Sequence, residues 1–177
     1  VDCDVFRPMP EIEKIPGRVC FVARFEDQKQ PLQVIEALRD STDVELVFIG
    51  GGSLAEEIKD KAREYNLSCS VLDRANNEQL PKELCQSMVY VLPTKYEGGS
   101  PKTLLEAMAC GVPVVATDCP SGPAEILENG RWGSLVPLQD EAALAAAMEQ
   151  GLERPVEKEQ LQTRAADFSV DRAVDGY

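Results

Sequence analysis

Short apolar runs and amphipathic stretches alternate along the whole chain. Apolar runs fall at 18–25, 44–49, 68–72, 88–93, 112–117 and 132–137. Most carry Val, Ile, Phe and Leu in near-continuous runs, the pattern of a strand covered on both faces, while 68–72, SCSVL, is a shorter and more polar strand. Between and after them, segments 30–40, 54–65, 78–87, 103–109, 125–130, 140–152 and 157–167 read as helices. In the first of these, Leu32, Ile35, Ala37 and Leu38 share one face at helical spacing. Asp140 stands where a cap for the 140–152 helix belongs. Strand–helix alternation of this kind predicts an α/β fold, Rossmann-like, with a doubly wound parallel six-stranded sheet and right-handed crossovers. The expected strand order is 3-2-1-4-5-6. Pro8, Pro10 and Pro16 keep the first 17 residues extended and outside the helical pattern. That divides the chain into a leader, 1–17, and one nucleotide-binding domain, 18–177.

The segment 96–117, YEGGSPKTLLEAMACGVPVVAT, concentrates the candidate chemistry. A glycine-rich loop, Glu97-Gly98-Gly99-Ser100, leads into Pro101, a residue favoured in a helix's first turn. The helix is stopped at Gly111, where a left-handed residue is expected. A helix N-terminus offers unpaired N–H groups and the positive end of the peptide dipoles, and glycines let a ligand reach them. Phosphate is the usual guest. Lys102 adds a positive charge, whereas Glu97 and Glu106 add negative ones. Carboxylates do not suit phosphate, but they accept hydrogen bonds from hydroxyls. A ligand that is phosphate at one end and polyhydroxylic at the other is a nucleotide sugar. Two further candidates flank the first predicted strand. Arg24 at its carboxyl end and Lys29 just before the following helix converge on the crevice where open α/β sheets bind ligands. The glycine turn after the second strand, including Gly51, lies on the same side, as does Lys95 ahead of the glycine loop.

Composition narrows the class. The 177 residues carry 18 Lys and Arg against 31 Asp and Glu, for a net charge of −13. A nucleic-acid partner calls for a basic face, which the sequence lacks. The same charge disfavours an anionic membrane contact by this segment. No apolar run reaches the ~20 residues of a membrane span. The six cysteines form no CxxC pair and there is no histidine, so no zinc or other metal site is expected. Cys20, Cys85 and Cys110 lie in apolar or helical contexts, as buried free thiols do. Trp132 is expected to pack.

The run Leu104 to Val115, LLEAMACGVPVV, together with Glu97-Gly98, resembles the signature of the retaining glycosyltransferases of family 4, whose fold is called GT-B. Eight residues separate Glu97 from Glu106 here, one more than in the family's pattern, so the glycine loop is one residue longer. Other segments resemble the family in its order. Val1-Asp2-Cys3-Asp4-Val5-Phe6-Arg7-Pro8 is similar to the linker between the two GT-B halves, and Arg24 with Lys29 to the family's Arg…Lys pair. Asp118 to Ile126 and Gly133-Ser134-Leu135-Val136-Pro137 are similar to later motifs.

The resemblance implies the C-terminal, donor-binding half of a GT-B enzyme, with an N-terminal acceptor domain preceding it and a final helix beginning in 170–177. It implies transfer of a hexose from a nucleotide diphosphate sugar to an acceptor hydroxyl with retention of configuration, in glycan or polysaccharide biosynthesis. Catalytic roles would fall to Arg24 and Lys29, on the diphosphate, and Glu97, facing the donor sugar. Glu106 would hold the ribose hydroxyls, backbone groups of Gly98, Gly99, Ser100, Lys102 and Thr103 the phosphates, and Arg74 would lie over the base. No cofactor or metal is expected; UDP-hexose is the expected donor, after the Pro120-Ser121-Gly122-Pro123 turn. The expected location is cytoplasmic, with any contact to the inner face of a membrane made through the other half. Two alternatives stay open: a non-catalytic nucleotide-binding Rossmann module, and a GT-B sugar-nucleotide epimerase.

Overall fold

The computed structural model describes residues 1–73, 78–98, 100–153 and 157–169. The strands are β1 (Arg18–Val22), β2 (Glu45–Ile49), β3 (Ser68–Leu72), β4 (Val89–Leu92), β5 (Val114–Thr117) and β6 (Ser134–Val136). They form one parallel sheet in the order β3-β2-β1-β4-β5-β6, as expected from the sequence. The helices are α1 (Pro31–Ala37), α2 (Ala55–Glu64), α3 (Gln79–Gln86), α4 (Lys102–Ala109), α5 (Pro123–Ile126), α6 (Glu141–Glu153) and α7 (Lys158–Ala166).

The central strands are apolar throughout because each serves two cores. Val19 and Phe21 of β1, Leu46 and Phe48 of β2, and Val89 and Val91 of β4 point to one face, where they pack with Ile35, Leu38, Ile58, Leu144 and Met148. Cys20, Val22, Val47, Ile49, Tyr90 and Leu92 point to the other and meet α3, α4 and α7 through Leu84, Leu104, Met108 and Leu161. Strand residues alternate sides, so a strand sandwiched between helices has no position left for a polar residue. Each large side chain removed from water contributes about 1.5–3 kcal/mol. On the first face the rings of Phe21, Phe25 and Phe48 cluster, with centroids 5.4 Å apart for Phe21 and Phe48.

Four local differences from the sequence reading have physical reasons. The first strand ends at Val22 rather than at 25; Phe25 is buried, but as a loop residue whose N–H donates to the Gly51 carbonyl at 2.9 Å. Burial and strand geometry part company there, and the apolar run shows only burial. Residues 27–29 form a short 3-10 turn that ends at Gln30, left-handed at φ 53°, so α1 begins at Pro31. Pro101 is the residue before α4 rather than a member of its first turn, with extended φ −73° and ψ 99°. The strand expected from 112 begins at Val114, because the Val112 N–H is turned back to the Ala107 carbonyl at 3.1 Å and Pro113 has no N–H to give the ladder.

Helix α5 spans Pro123–Ile126 rather than 125–130, and several other details follow expectation. Gly111 ends α4 at φ 77°, and Asp140 Oδ1 accepts the Ala143 N–H at 2.9 Å as a cap for α6. The leader lies against the domain: Phe6 is buried in the core beside α3, α4 and α7, and the Ile15 N–H donates to the Gln86 carbonyl at 2.8 Å. Trp132 packs against the same core.

Candidate functional site

The strand order reverses direction between β1 and β4, and there the loops after the two strands diverge and open a crevice at their carboxyl ends. A cavity of about 350 Å³ occupies this point. Its walls are Val22 at the end of β1 with Ala23, Arg24 and Lys29 after it, Ile49 at the end of β2 with Gly50 and Gly51 after it, Leu80 of α3, and Leu92 at the end of β4 with Glu97 after it. Ser100, Pro101, Lys102, Thr103 and Glu106, at the start of α4, close it. The first turn of a helix has N–H groups without intrahelical partners, so α4 directs donors and its positive end at the cavity.

Eight of the eleven residues singled out in the sequence therefore meet in one place: Arg24, Lys29, Gly51, Glu97, Ser100, Lys102, Thr103 and Glu106. Gly98 is exposed and does not line the cavity. Arg74 and Gly99 lie outside the described residues, as does segment 170–177.

The charges in the cavity are differently placed. Lys29 Nζ and Glu97 Oε1 form an ion pair at 2.7 Å, with the two side chains only 20% and 9% exposed. Arg24 is the opposite case. Its side chain is 80% exposed and its guanidinium stands 3.8 Å from Glu26 Oε1, so it is free to turn toward a ligand at little cost. Glu106 is buried in α4, with Lys102 Nζ at 4.0 Å one turn away. Thr103 is fixed from below by the buried Tyr90, whose hydroxyl lies 2.7 Å from Thr103 Oγ1. Burial drives the Tyr90 phenol far above its ordinary pKa, so it stays protonated and able to donate.

Several residues that shape the site gave no signal in the sequence. The loops after β1 and β4 are laced together: Lys95 N–H donates to the Gln28 carbonyl at 2.8 Å, and Gln28 Nε2 to the Tyr96 carbonyl at 2.9 Å. Lys95, expected among the phosphate neighbours, instead pairs with Asp27 at 2.6 Å and does not line the cavity. Gly50 allows the loops after β1 and β2 to touch, since a Cβ there would lie 2.0 Å from the Ala23 carbonyl oxygen. Gly51 has open space in that direction and simply borders the cavity. The glycine triplet was the available signal, but the sequence does not say which glycine is structurally required.

Among the described residues no group of three or more His, Cys, Asp or Glu is placed to hold a metal ion, and no helix is long and apolar enough to cross a membrane.

Comparison with known proteins agrees with this geometry. The family described as glycosyl transferases group 1 matches residues 5–168. The lipopolysaccharide 1,6-galactosyltransferase of Salmonella typhimurium is 32% identical over 74% of this chain and 38% of its own length. A Campylobacter jejuni enzyme is 30% identical over 83% of this chain and 41% of its own. It is an N-acetylgalactosamine-N,N'-diacetylbacillosaminyl-diphospho-undecaprenol 4-alpha-N-acetylgalactosaminyltransferase. The chain thus spans about two fifths of the length of these relatives. In fold it is similar to the pneumococcal O-GlcNAc transferase solved with UDP and GlcNAc, with a TM-score of 0.82 at 20% identity over 97% of this chain and 36% of that one.

Proposed function

This chain belongs to the group 1 glycosyl transferases, and from that premise we propose that it is the donor-binding, C-terminal half of a retaining GT-B enzyme of family 4. The reaction moves a hexose from a nucleoside diphosphate sugar to an acceptor hydroxyl, in glycan or polysaccharide biosynthesis. The observation that carries this reading is the cavity at the β1/β4 reversal, which cations, carboxylates and a helix N-terminus line together.

Each end of a nucleotide sugar finds its chemistry there. The N–H groups at the start of α4, with Lys29 and Arg24, take the diphosphate. As the bond to the sugar breaks, negative charge grows on the leaving diphosphate, and these preorganised positive groups lower the barrier. Glu106, buried one turn into α4, accepts hydrogen bonds from the ribose hydroxyls. Glu97 faces the sugar and also holds Lys29 in place before the donor arrives. The acceptor is held by a preceding domain of the enzyme. UDP is the proposed nucleotide because the Pro120-Ser121-Gly122-Pro123 turn resembles that of enzymes using UDP-hexoses, and a related galactosyltransferase moves a hexose.

Calorimetric titration of the chain with UDP, GDP and ADP, and with their hexose conjugates, tests the proposal. One diphosphate binds in preference to the others, and Lys29→Ala and Arg24→Ala each weaken it at least tenfold. Equal, mutation-insensitive binding of all three nucleotides would remove the donor role.

A further inference from the structure

On the other side of α4 lies a second cluster with no part in donor binding. Cys85, in the last turn of α3, and Cys110, immediately after α4, line a cavity of about 270 Å³ with Pro8, Met9, Lys14 and Lys158. The two thiols face this one cavity from the C-terminal ends of α3 and α4. As a thiol, Cys85 donates from Sγ to the Arg7 carbonyl oxygen at 3.4 Å, a bond it gives up on ionising. Lys14 is fixed beside them, donating from Nζ to the Cys85 carbonyl at 3.1 Å and the Ser87 carbonyl at 2.8 Å. Lys158 is held over the end of α4, its Cβ 2.9 Å from the place a Cβ on Gly111 would occupy. A thiol pair that shares a cavity with two lysine cations, against the single carboxylate of Glu159, lies in a net positive environment that favours a thiolate.

The six cysteines are not equivalent in this respect. Burial raises the thiol pKa of Cys20 to about 12 and of Cys69 to about 11, and raises that of Cys119. Cys85 moves the other way: the hydrogen bond from Cys110, with the backbone at Met9 and the charges of Lys14 and Lys158, favours its thiolate. Cys110 is correspondingly raised and acts as the donor of the pair.

We propose that Cys85 and Cys110 form a peroxide-oxidisable dithiol, in which Cys85 is attacked first and Cys110 resolves it to a disulfide joining the C-terminal ends of α3 and α4. The Cys85 thiolate displaces hydroxide from the peroxide O–O bond and becomes a sulfenic acid, the hydroxide leaving as water after taking a proton. The Cys110 sulfur then attacks the Cys85 sulfur, the S–S bond forms as the S–O bond breaks, and a second water leaves. Two thiols supply the two electrons that reduce one hydrogen peroxide to two waters. This inference does not depend on the donor reading.

The test is treatment of the whole chain with stoichiometric hydrogen peroxide, followed by intact mass and peptide mapping under denaturing, thiol-blocked conditions. The expected product has lost two hydrogens, carries a Cys85–Cys110 cross-link, retains four of its six free thiols, and regains all six with a thiol reductant. A Cys110→Ser chain accumulates a sulfenic acid at Cys85 that a cyclic dione traps. Oxidation at Cys3, Cys20, Cys69 or Cys119 ahead of Cys85, direct passage of wild-type Cys85 to a sulfinic acid, or six intact thiols would each overturn the proposal. The wild-type map alone decides, so a poorly folding variant does not obscure the result.

Discussion

The Lys29–Glu97 ion pair makes a specific claim about how the site meets its ligand. At 2.7 Å the attraction amounts to about 6 kcal/mol at an effective dielectric constant of ~20. Both groups are largely buried, and desolvation takes back most of that, leaving a net pair energy of about 1–2 kcal/mol. A diphosphate that recruits Lys29 must loosen this pair and tolerate a carboxylate close by. Glu97→Gln keeps a hydrogen-bond acceptor for Lys29 and removes the competing charge. Binding of the free nucleoside diphosphate is therefore expected to tighten about 5- to 30-fold, since 1.4 kcal/mol is a factor of ten. The same variant is expected to lose the additional affinity that the hexose gives the conjugated donor, because the carboxylate facing the sugar is gone. Calorimetric titrations of wild type and Glu97→Gln with UDP and a UDP-hexose supply both numbers. If Glu97→Gln weakens UDP itself, then Glu97 does not compete for Lys29, and the assignment of the pair is wrong.

Other expected outcomes concern the frame of the site. Gly50→Ala drives a Cβ into the Ala23 carbonyl at 2.0 Å, so strain and overpacking should cost about 2–4 kcal/mol. Urea denaturation should show a clearly lower midpoint, and an unchanged midpoint would contradict the close approach. Tyr90→Phe leaves Thr103 without its buried partner at 2.7 Å; a loss of about 1 kcal/mol, read as a Tm lower by about 2–4 °C, is expected in a thermal scan. Glu36 accepts hydrogen bonds from Tyr65, at 2.9 Å, and from Lys61, 3.0 Å away. Although desolvation opposes it, these partners hold its carboxyl below the ordinary value of 4.5. A lowered folded-state pKa means stability that is present above 4.5 and lost as the pH falls through the folded value. Glu36→Gln should thus cost about 0.5–1 kcal/mol at neutral pH, a difference that vanishes in acid; a pH-independent difference in denaturation midpoint would remove the ion pair as its cause.

The architecture was legible in the sequence because two-sided burial leaves an apolar signature in the inner strands β1, β2, β4 and β5, and each of the six runs became a strand in the expected order. What the pattern misplaced were ends. Phe25 is apolar because it is buried, not because it is extended, and Pro113 is apolar within a run where it cannot donate to a ladder. The placement of Lys29, Glu106 and the start of α4 around one cavity was legible because the ends of the strands and the helix start fix it. It was illegible where the role depends on a partner far along the chain. That Glu97 also pairs with Lys29, and that Lys95 on the same side pairs with Asp27, shows only in the fold, and Gly50 is indistinguishable from Gly51 until the loop after β1 is in place. The Cys85–Cys110 pair is of the same kind, two unremarkable thiols until α3 and α4 bring them together.

The central claim is that the cavity beside α4 reads a nucleoside diphosphate, with Glu106 on the ribose. A double-mutant cycle tests it most directly: UDP and 2′,3′-dideoxy-UDP titrated into wild type and into Glu106→Gln. A hydrogen bond from a ribose hydroxyl to a buried carboxylate predicts a coupling of about 1.5–3 kcal/mol, so that removal of the hydroxyls costs wild type ten- to a hundred-fold and the variant almost nothing. Equal losses in both proteins would mean that Glu106 does not touch the ribose, and that the cavity holds its ligand in some other way.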